Sequence, residues 1–286
     1  MREIFARLRK YEIKIRKAVN AQMRGDFHSV FKGSGLEFSD VRSYQYGDDV
    51  RSIDWNVSAK GHGTFVKIFR EEKEQTVFFM VDVSASQEIG KRSRRKLDVT
   101  KEICGVLALS AVKEASQVGL YCFTDRKERY IRPGKGIKRG YEVVTSLFNL
   151  QPVSTKTDLA KAIRFGLTVL KRKSVVILVS DFIGEDYEHN LKALARKHDL
   201  VVVHLYDRRE TDLPSLGIIP LYDRESRRTI WLNTSSGAFK RELNGIFRTN
   251  QARLEQLCKQ YQANYLAINT EEDFVPRLVK LFKVRK

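Results

Sequence analysis

The sequence predicts an α/β fold built on a doubly wound, mostly parallel sheet, and three observations carry that reading. Straight apolar runs of strand length occur at Val77-Phe78-Phe79-Met80-Val81 and from Val175 to Val179, as expected of strands buried on both faces. Segments of helical length and periodicity separate such runs along the chain. Two of the runs lead into an aspartate, Asp82 and Asp181, and in open α/β sheets the carboxyl edge of the strands is where ligands bind.

The elements follow in chain order. Over residues 4–24, Ile4, Phe5, Leu8, Tyr11, Ile15, Ala18 and Val19 recur at helical spacing among Lys and Arg, and Gly25 stops the pattern. This amphipathic helix is expected to pack on the body of the protein; the lesser alternative is a helix lying on a membrane surface. Residues 26–75 differ in texture, with glycines, alternation and aromatics, and predict short strands in a small β appendage. Gly61-His62-Gly63 reads as a turn between strands. Asp40, Arg42, Asp48, Asp49, Arg51 and Asp54 lie beside Tyr44, Tyr46 and Trp55, which suggests an ion-pair network holding an irregular segment. The expected division is therefore 1–75, helix plus appendage, and 76–286, the sheet domain.

From Thr76 the rhythm is regular. Helices are expected over 93–116, 141–150, 159–171, 187–197, 238–261 and 273–282. Strands are expected over 77–81, with Asp82 at its carboxyl end, and over 118–123, 174–181, 200–206 and 264–268, with a short one at 129–132. Residues 208–236 interrupt the alternation. There Asp223 to Arg227 is turn-like between two short strands, so a β-hairpin insertion is expected.

Composition narrows the function. The 286 residues are 42% hydrophobic, enough for a substantial core. No apolar run approaches the length of a membrane span, and the charged N-terminus has no secretory signal pattern, so a soluble cytoplasmic protein is expected. Cys104, Cys122 and Cys258 are widely spaced, which suggests neither a zinc knuckle nor a disulfide framework. The net charge of +18 favours acidic partners: nucleic acid, anionic head groups or an acidic protein face.

The chemistry concentrates at three places. Asp82, Ser84 and Ser86 form D-x-S-x-S after the first strand; Thr157 stands just ahead of a helix in TKTDLAKAI; Asp181 follows the aliphatic strand in VVILVSDF. Taken singly, each reads as well as a turn or cap residue. Taken together, they are hard oxygen donors from three segments that a doubly wound sheet can bring to one crevice, and such donors suit Mg²⁺, with Mn²⁺ a second candidate.

That order resembles the von Willebrand factor type A domain with its metal-ion-dependent adhesion site. The resemblance matches Asp82, Ser84, Ser86, Thr157 and Asp181 by residue type. It implies a metal held by hydroxyls, with carboxylates acting partly through water and an open position taken by a partner protein's carboxylate. A second resemblance covers nearly the whole chain. The pattern R-x-Y-x-x-G-D-x-x-R-x-I-D-W at Arg42, Tyr44, Gly47, Asp48, Arg51, Ile53, Asp54 and Trp55 is similar to that of the domain of unknown function 58 family. This second resemblance implies work alongside a MoxR-type AAA+ ATPase or its client.

Other chemistries lack their residues. Gly134 to Gly140 does not have the spacing of a P-loop. A dehalogenase-type phosphatase needs a second Asp where Ser84 stands. The histidines show no metal-ligand spacing, and Ser84 lacks an elbow motif or an evident base. The expectation is a non-enzymatic, Mg²⁺-dependent protein-binding module. The alternative is a nucleic-acid or anionic-surface binder using the basic run Lys91-Arg92-Ser93-Arg94-Arg95-Lys96, although that run also reads as a solvated helix entrance.

Overall fold

The computed structural model describes residues 1–22, 36–61, 63–71, 75–91, 93–184, 186–223 and 228–284. Helix α1 (Arg2–Gln22) opens the chain, followed by β1 (Leu36–Ser43), the short α2 (Trp55–Ser58) and β2 (Phe65–Glu71). The main sheet begins with β3 (Thr76–Asp82). The two-residue strands β4 (Gly90–Lys91) and β5 (Arg94–Arg95) lead into α3 (Lys96–Lys113). Then come β6 (Gln117–Phe123), β7 (Lys127–Gly134), α4 (Ile137–Asn149), α5 (Leu159–Val169), β8 (Val175–Ser180), α6 (Glu188–Lys197), β9 (Asp199–Tyr206) and the one-turn α7 (Arg208–Thr211). The hairpin β10 (Ile218–Asp223) and β11 (Arg228–Asn233), α8 (Gly237–Gln260), β12 (Asn264–Asn269) and α9 (Val275–Val284) complete it.

Six strands form the main sheet in the order β12-β9-β8-β3-β6-β7. All neighbours are parallel except β6 and β7. The chain leaves β3 for β6 on one side and later returns to β8 on the other. The reversal of direction therefore falls between β3 and β8, whose register pairs Val81 with Val179. This is the topological switch point at which a crevice opens. The expected α/β class, with its mostly parallel doubly wound sheet and hairpin insertion, is the one observed. Strand alternation explains the two layers. Val77, Phe79 and Val81 face α1, α3, α4 and α9, whereas Phe78 and Met80 face α5, α6 and α8.

Close packing fixes the elements that carry loops to this edge. A Cβ on Gly166 would lie 2.8 Å from Met80 Sδ, so the glycine lets α5 press directly onto β3. Gly105 does the same for α1, where a Cβ would meet Leu8 Cδ1 at 2.9 Å.

The chain divides into two compact units, Met1–Phe31 with Thr76–Lys286, and Lys32–Gln75. The expected boundary after residue 75 is kept, but Met1–Phe31 groups with the sheet rather than with the appendage. Helix α1 belongs with the sheet because its apolar stripe is used there: Leu8 is fully buried, Phe5 meets Tyr141 edge-on at 4.7 Å, and Tyr11 meets Phe274 at 4.9 Å. In the smaller unit β1 and β2 are antiparallel. Its charged residues act mainly as local anchors rather than as a network. Arg42 donates two bonds to Asp48, each of 2.7 Å, and Asp48 also accepts from Gln45 N. Asp49 accepts from Arg51 N, while Asp54 caps α2. Gly47 holds φ 105°, a conformation that favours glycine. Tyr46 and Trp55 are exposed. His62 and residues 72–74 lie outside the described residues.

Candidate metal centre at the switch point

Strand β3 delivers Asp82 to the edge as its last residue, and burial there is complete. Both carboxylate oxygens are engaged: Ser84 N donates to Oδ1 at 3.0 Å, and the Ser180 hydroxyl donates to Oδ2 at 2.7 Å. Beyond Asp82 the loop is pinned to its neighbours. Val83 N donates to Phe123 O at 2.9 Å, and Ala85 N donates to Thr155 O at 3.0 Å. Ser84 is buried and Ser86 half-buried, with their hydroxyl oxygens 3.1 Å apart.

The second loop arrives against the first through that Ala85–Thr155 bond. Asp158, not Thr157, caps α5, accepting Lys161 N at 2.7 Å. Thr157 therefore precedes the cap, half-buried on the loop, and lines an open cavity of about 360 Å³ together with Ile183 and Gly184. The third loop carries Asp181 immediately after β8, also buried. Phe182 turns the chain there with φ 53°, a left-handed conformation uncommon for a bulky residue, and its N–H is taken by Ser180 Oγ at 3.3 Å. Ser86 and the backbone of Ile183 both favour the charged form of Asp181. The structure thus links Asp82, Ser84 and Ser86 through hydrogen bonds and sets the Asp181 carboxylate near enough to Asp82 for their charges to interact. It brings the Thr157 loop to the same edge through Thr155 and the cavity shared with Ile183.

The carboxylates differ in electrostatic setting. Burial, and secondarily the like charge of Asp181, pushes the Asp82 carboxyl up to about 7. Burial also works against Asp181, but the Lys96 ammonium overcomes it and holds this carboxyl below the usual range. Among the described residues no Lys or Arg forms a salt bridge with Asp82, and no group of three or more His, Cys, Asp or Glu side chains gathers as a metal site.

Lys96 was missed by sequence reasoning, which placed it in a solvated basic run. It is instead fully buried, with its ammonium 2.8 Å from Asp181 Oδ2 and 2.5 Å from Glu210 Oε1. Nothing in the sequence sets it apart from the other cations of that run, and the first turns of α3 also carry the half-buried Asp98, Lys101 and Glu102. The neighbouring cations are also engaged. Lys91 pairs with Glu271 at 3.0 Å, Arg94 donates to Glu272 O at 2.8 Å, and Arg95 lies 4.0 Å from Glu88. Arg92 is outside the described residues. Asp207 was missed as well. It follows β9 as Asp181 follows β8, and it is buried, but its oxygens are taken by Arg209 N and the Thr270 hydroxyl.

A doubly wound, mostly parallel six-stranded sheet with one antiparallel edge strand defines an open α/β module whose switch point carries these loops. Residues 40–253 match the family described as protein of unknown function DUF58, and the chain belongs to that family. An uncharacterized protein of Mycobacterium tuberculosis is 23% identical over 287 residues, covering 99% of this chain and 90% of the relative. Another, from Mycobacterium avium, is 25% identical over 136 residues, covering 47% of this chain and 80% of its own. Among solved structures, conserved hypothetical protein BatB from Bacteroides thetaiotaomicron superposes with TM-score 0.51 at 13% identity, over 74% of this chain and 98% of its own; the likeness is one of fold. The VWA domain of SpRpn10 aligns over 72% of this chain and 93% of its own, with TM-score 0.41 and 12% identity. No helix among the described residues is long and apolar enough to cross a membrane.

Proposed function

We propose that this chain is a Mg²⁺-dependent protein-binding module. The ion is held by Asp82, Ser84, Ser86, Thr157 and Asp181, and Mn²⁺ is accepted in its place. The observation that carries the reading is Asp82: a buried carboxylate at the switch-point edge, beside paired hydroxyls and with no salt bridge to a Lys or Arg among the described residues. Burying an ionised carboxylate in this way is costly unless a cation compensates it. Hard oxygen donors in a crevice are what Mg²⁺ takes, and it retains other positions for water or a ligand. A bound ion would supply positive charge and an open position suited to a partner's Asp or Glu. The partner in this reading is a MoxR-type AAA+ ATPase or its client, as the family resemblance implies. No catalytic step is included, because the position two residues after Asp82 holds Ser84 rather than a second carboxylic acid.

Calorimetric titration of Mg²⁺ and Mn²⁺ into the protein and its Asp82→Ala variant tests the metal. Capture of a purified MoxR-type ATPase with Mg²⁺ and with EDTA tests the partner. Saturable binding lost in the variant, with capture lost in EDTA, is the expected result; capture indifferent to both would sink the reading. The second reading, a nucleic-acid or anionic-surface binder, is motivated by the charge of +18. It requires Mg²⁺-independent retention of RNA or DNA that weakens steeply with salt.

A further inference from the structure

Among the described residues Lys96 is the one fully buried lysine, and its place is unfavourable twice over. It is the first residue of α3, where the helix dipole presents its positive end. Its ammonium is also out of water, which is tolerated only when the charge is paired and hydrogen-bonded. Two carboxylates supply that pairing, Asp181 at 2.8 Å and Glu210 at 2.5 Å. Glu210 is itself fixed, its other oxygen accepting Asp207 N at 2.8 Å. One ammonium is therefore shared between a carboxylate of the switch-point centre and a carboxylate of α7, outside it.

We propose that Lys96 is a tethered internal cation that competes with the divalent ion for Asp181, and that Glu210 weakens the competition by offering the ammonium a second seat. The inference rests on the metal reading above. With Lys96 bound, Asp181 has one oxygen occupied and its charge compensated, so a divalent ion recruiting that carboxylate meets a like charge beside it. Glu210 allows Lys96 to relinquish Asp181 while remaining paired. The metal-free protein is then held together by its own lysine, and divalent affinity is set by the balance between two carboxylates. Occupancy also reaches the cavity of about 220 Å³ that Asp181 and Glu210 line together with Phe182, His204 and Phe247.

The two partners of Lys96 make opposite predictions for Mg²⁺ and Mn²⁺ titrations of the EDTA-stripped full chain. Lys96→Met should bind the ion about tenfold or more tightly, because the competing charge is gone. It should also melt at a lower temperature in EDTA and recover with Mg²⁺. Glu210→Gln should bind about threefold or more weakly, because Lys96 is left leaning on Asp181. Where the wild type binds the ion, unchanged or weaker binding by Lys96→Met, or unchanged or tighter binding by Glu210→Gln, overturns the inference and leaves the metal site standing. Absence of binding by both wild type and Lys96→Met removes the metal site itself and this inference with it. Should Lys96→Met fail to fold, the direction of the Glu210→Gln shift decides alone.

Discussion

The Ser180 hydroxyl donates to Asp82 Oδ2 at 2.7 Å, tying the ends of two neighbouring parallel strands together beneath the candidate site. The bond is buried, and Ser180 Oγ also accepts Phe182 N, so one small side chain orients Asp82 and the turn that follows Asp181. Ser180→Ala should therefore cost about 1–3 kcal/mol, the penalty for leaving a buried acceptor short of a partner. Urea unfolding would measure it. A cost within experimental error would show that the bond has no positioning role.

Asp82→Asn separates stability from binding. The aspartate is a buried carboxylate with no salt-bridge partner among the described residues. An amide of the same shape keeps an acceptor for Ser84 N, turns its NH2 toward the Ser180 hydroxyl, which can reverse to accept, and removes the charge. In EDTA at pH 8 the variant should be more stable than the wild type, by about 2 kcal/mol. It should also lose the rise in melting temperature that Mg²⁺ gives the wild type. Thermal unfolding with and without Mg²⁺ reads both effects. A destabilised variant would mean that Asp82 is already compensated by something other than an ion.

Leu8→Ala tests the placement of α1. Leu8 is fully buried against Gly105 of α3, so truncation should cost about 2–5 kcal/mol in the unfolding of the sheet unit. If instead α1 were a surface-lying helix independent of the sheet, the variant would unfold with the wild-type midpoint.

Much of this was legible in the sequence because the relevant signals are local. Five straight aliphatics can only be a doubly buried strand once flanking segments supply two helical layers, and Val175–Val179 is that strand. Asp82 and Asp181 are legible because strand direction alone puts them at one edge. Thr157 was legible as a loop residue, but its separation from the cap needed coordinates: Asp158 takes the cap, and no spacing rule chooses between adjacent Thr and Asp. Lys96 and Glu210 were not legible, since they are 114 positions apart and a lysine in a basic run gives no sign of pointing inward. The grouping of α1 with the sheet was not legible for a similar reason. The amphipathic period of α1 announces a buried face but not what buries it, and the answer lies in α3, α4 and α9. The motif from Arg42 to Trp55 found a local meaning: Arg42 and Asp48 clamp a turn at Gly47, and Asp54 caps a helix.

The acid limb of stability should carry the signature of two histidines. Burial, helped by the neighbouring Lys197 charge, drives His198 down to about 4, and neither ring nitrogen has a hydrogen-bond partner among the described residues. His204 is likewise driven to about 4, chiefly by burial, with its Nδ1 held 2.8 Å from the Tyr265 hydroxyl. Unfolded, each would titrate near 6.5. Between about pH 6.5 and 4 the unfolded chain binds the extra protons, so stability falls as the pH falls, by about 1.4 kcal/mol per pH unit for each histidine. His198→Leu removes one of the two contributions and leaves that of His204. The difference in unfolding free energy between variant and wild type should therefore shift in the variant's favour by up to about 3 kcal/mol on going from pH 7 to pH 4. Chemical denaturation across that range measures the difference directly. A difference that stays flat would place the His198 ring in water, with an ordinary pKa and no role in the acid limb.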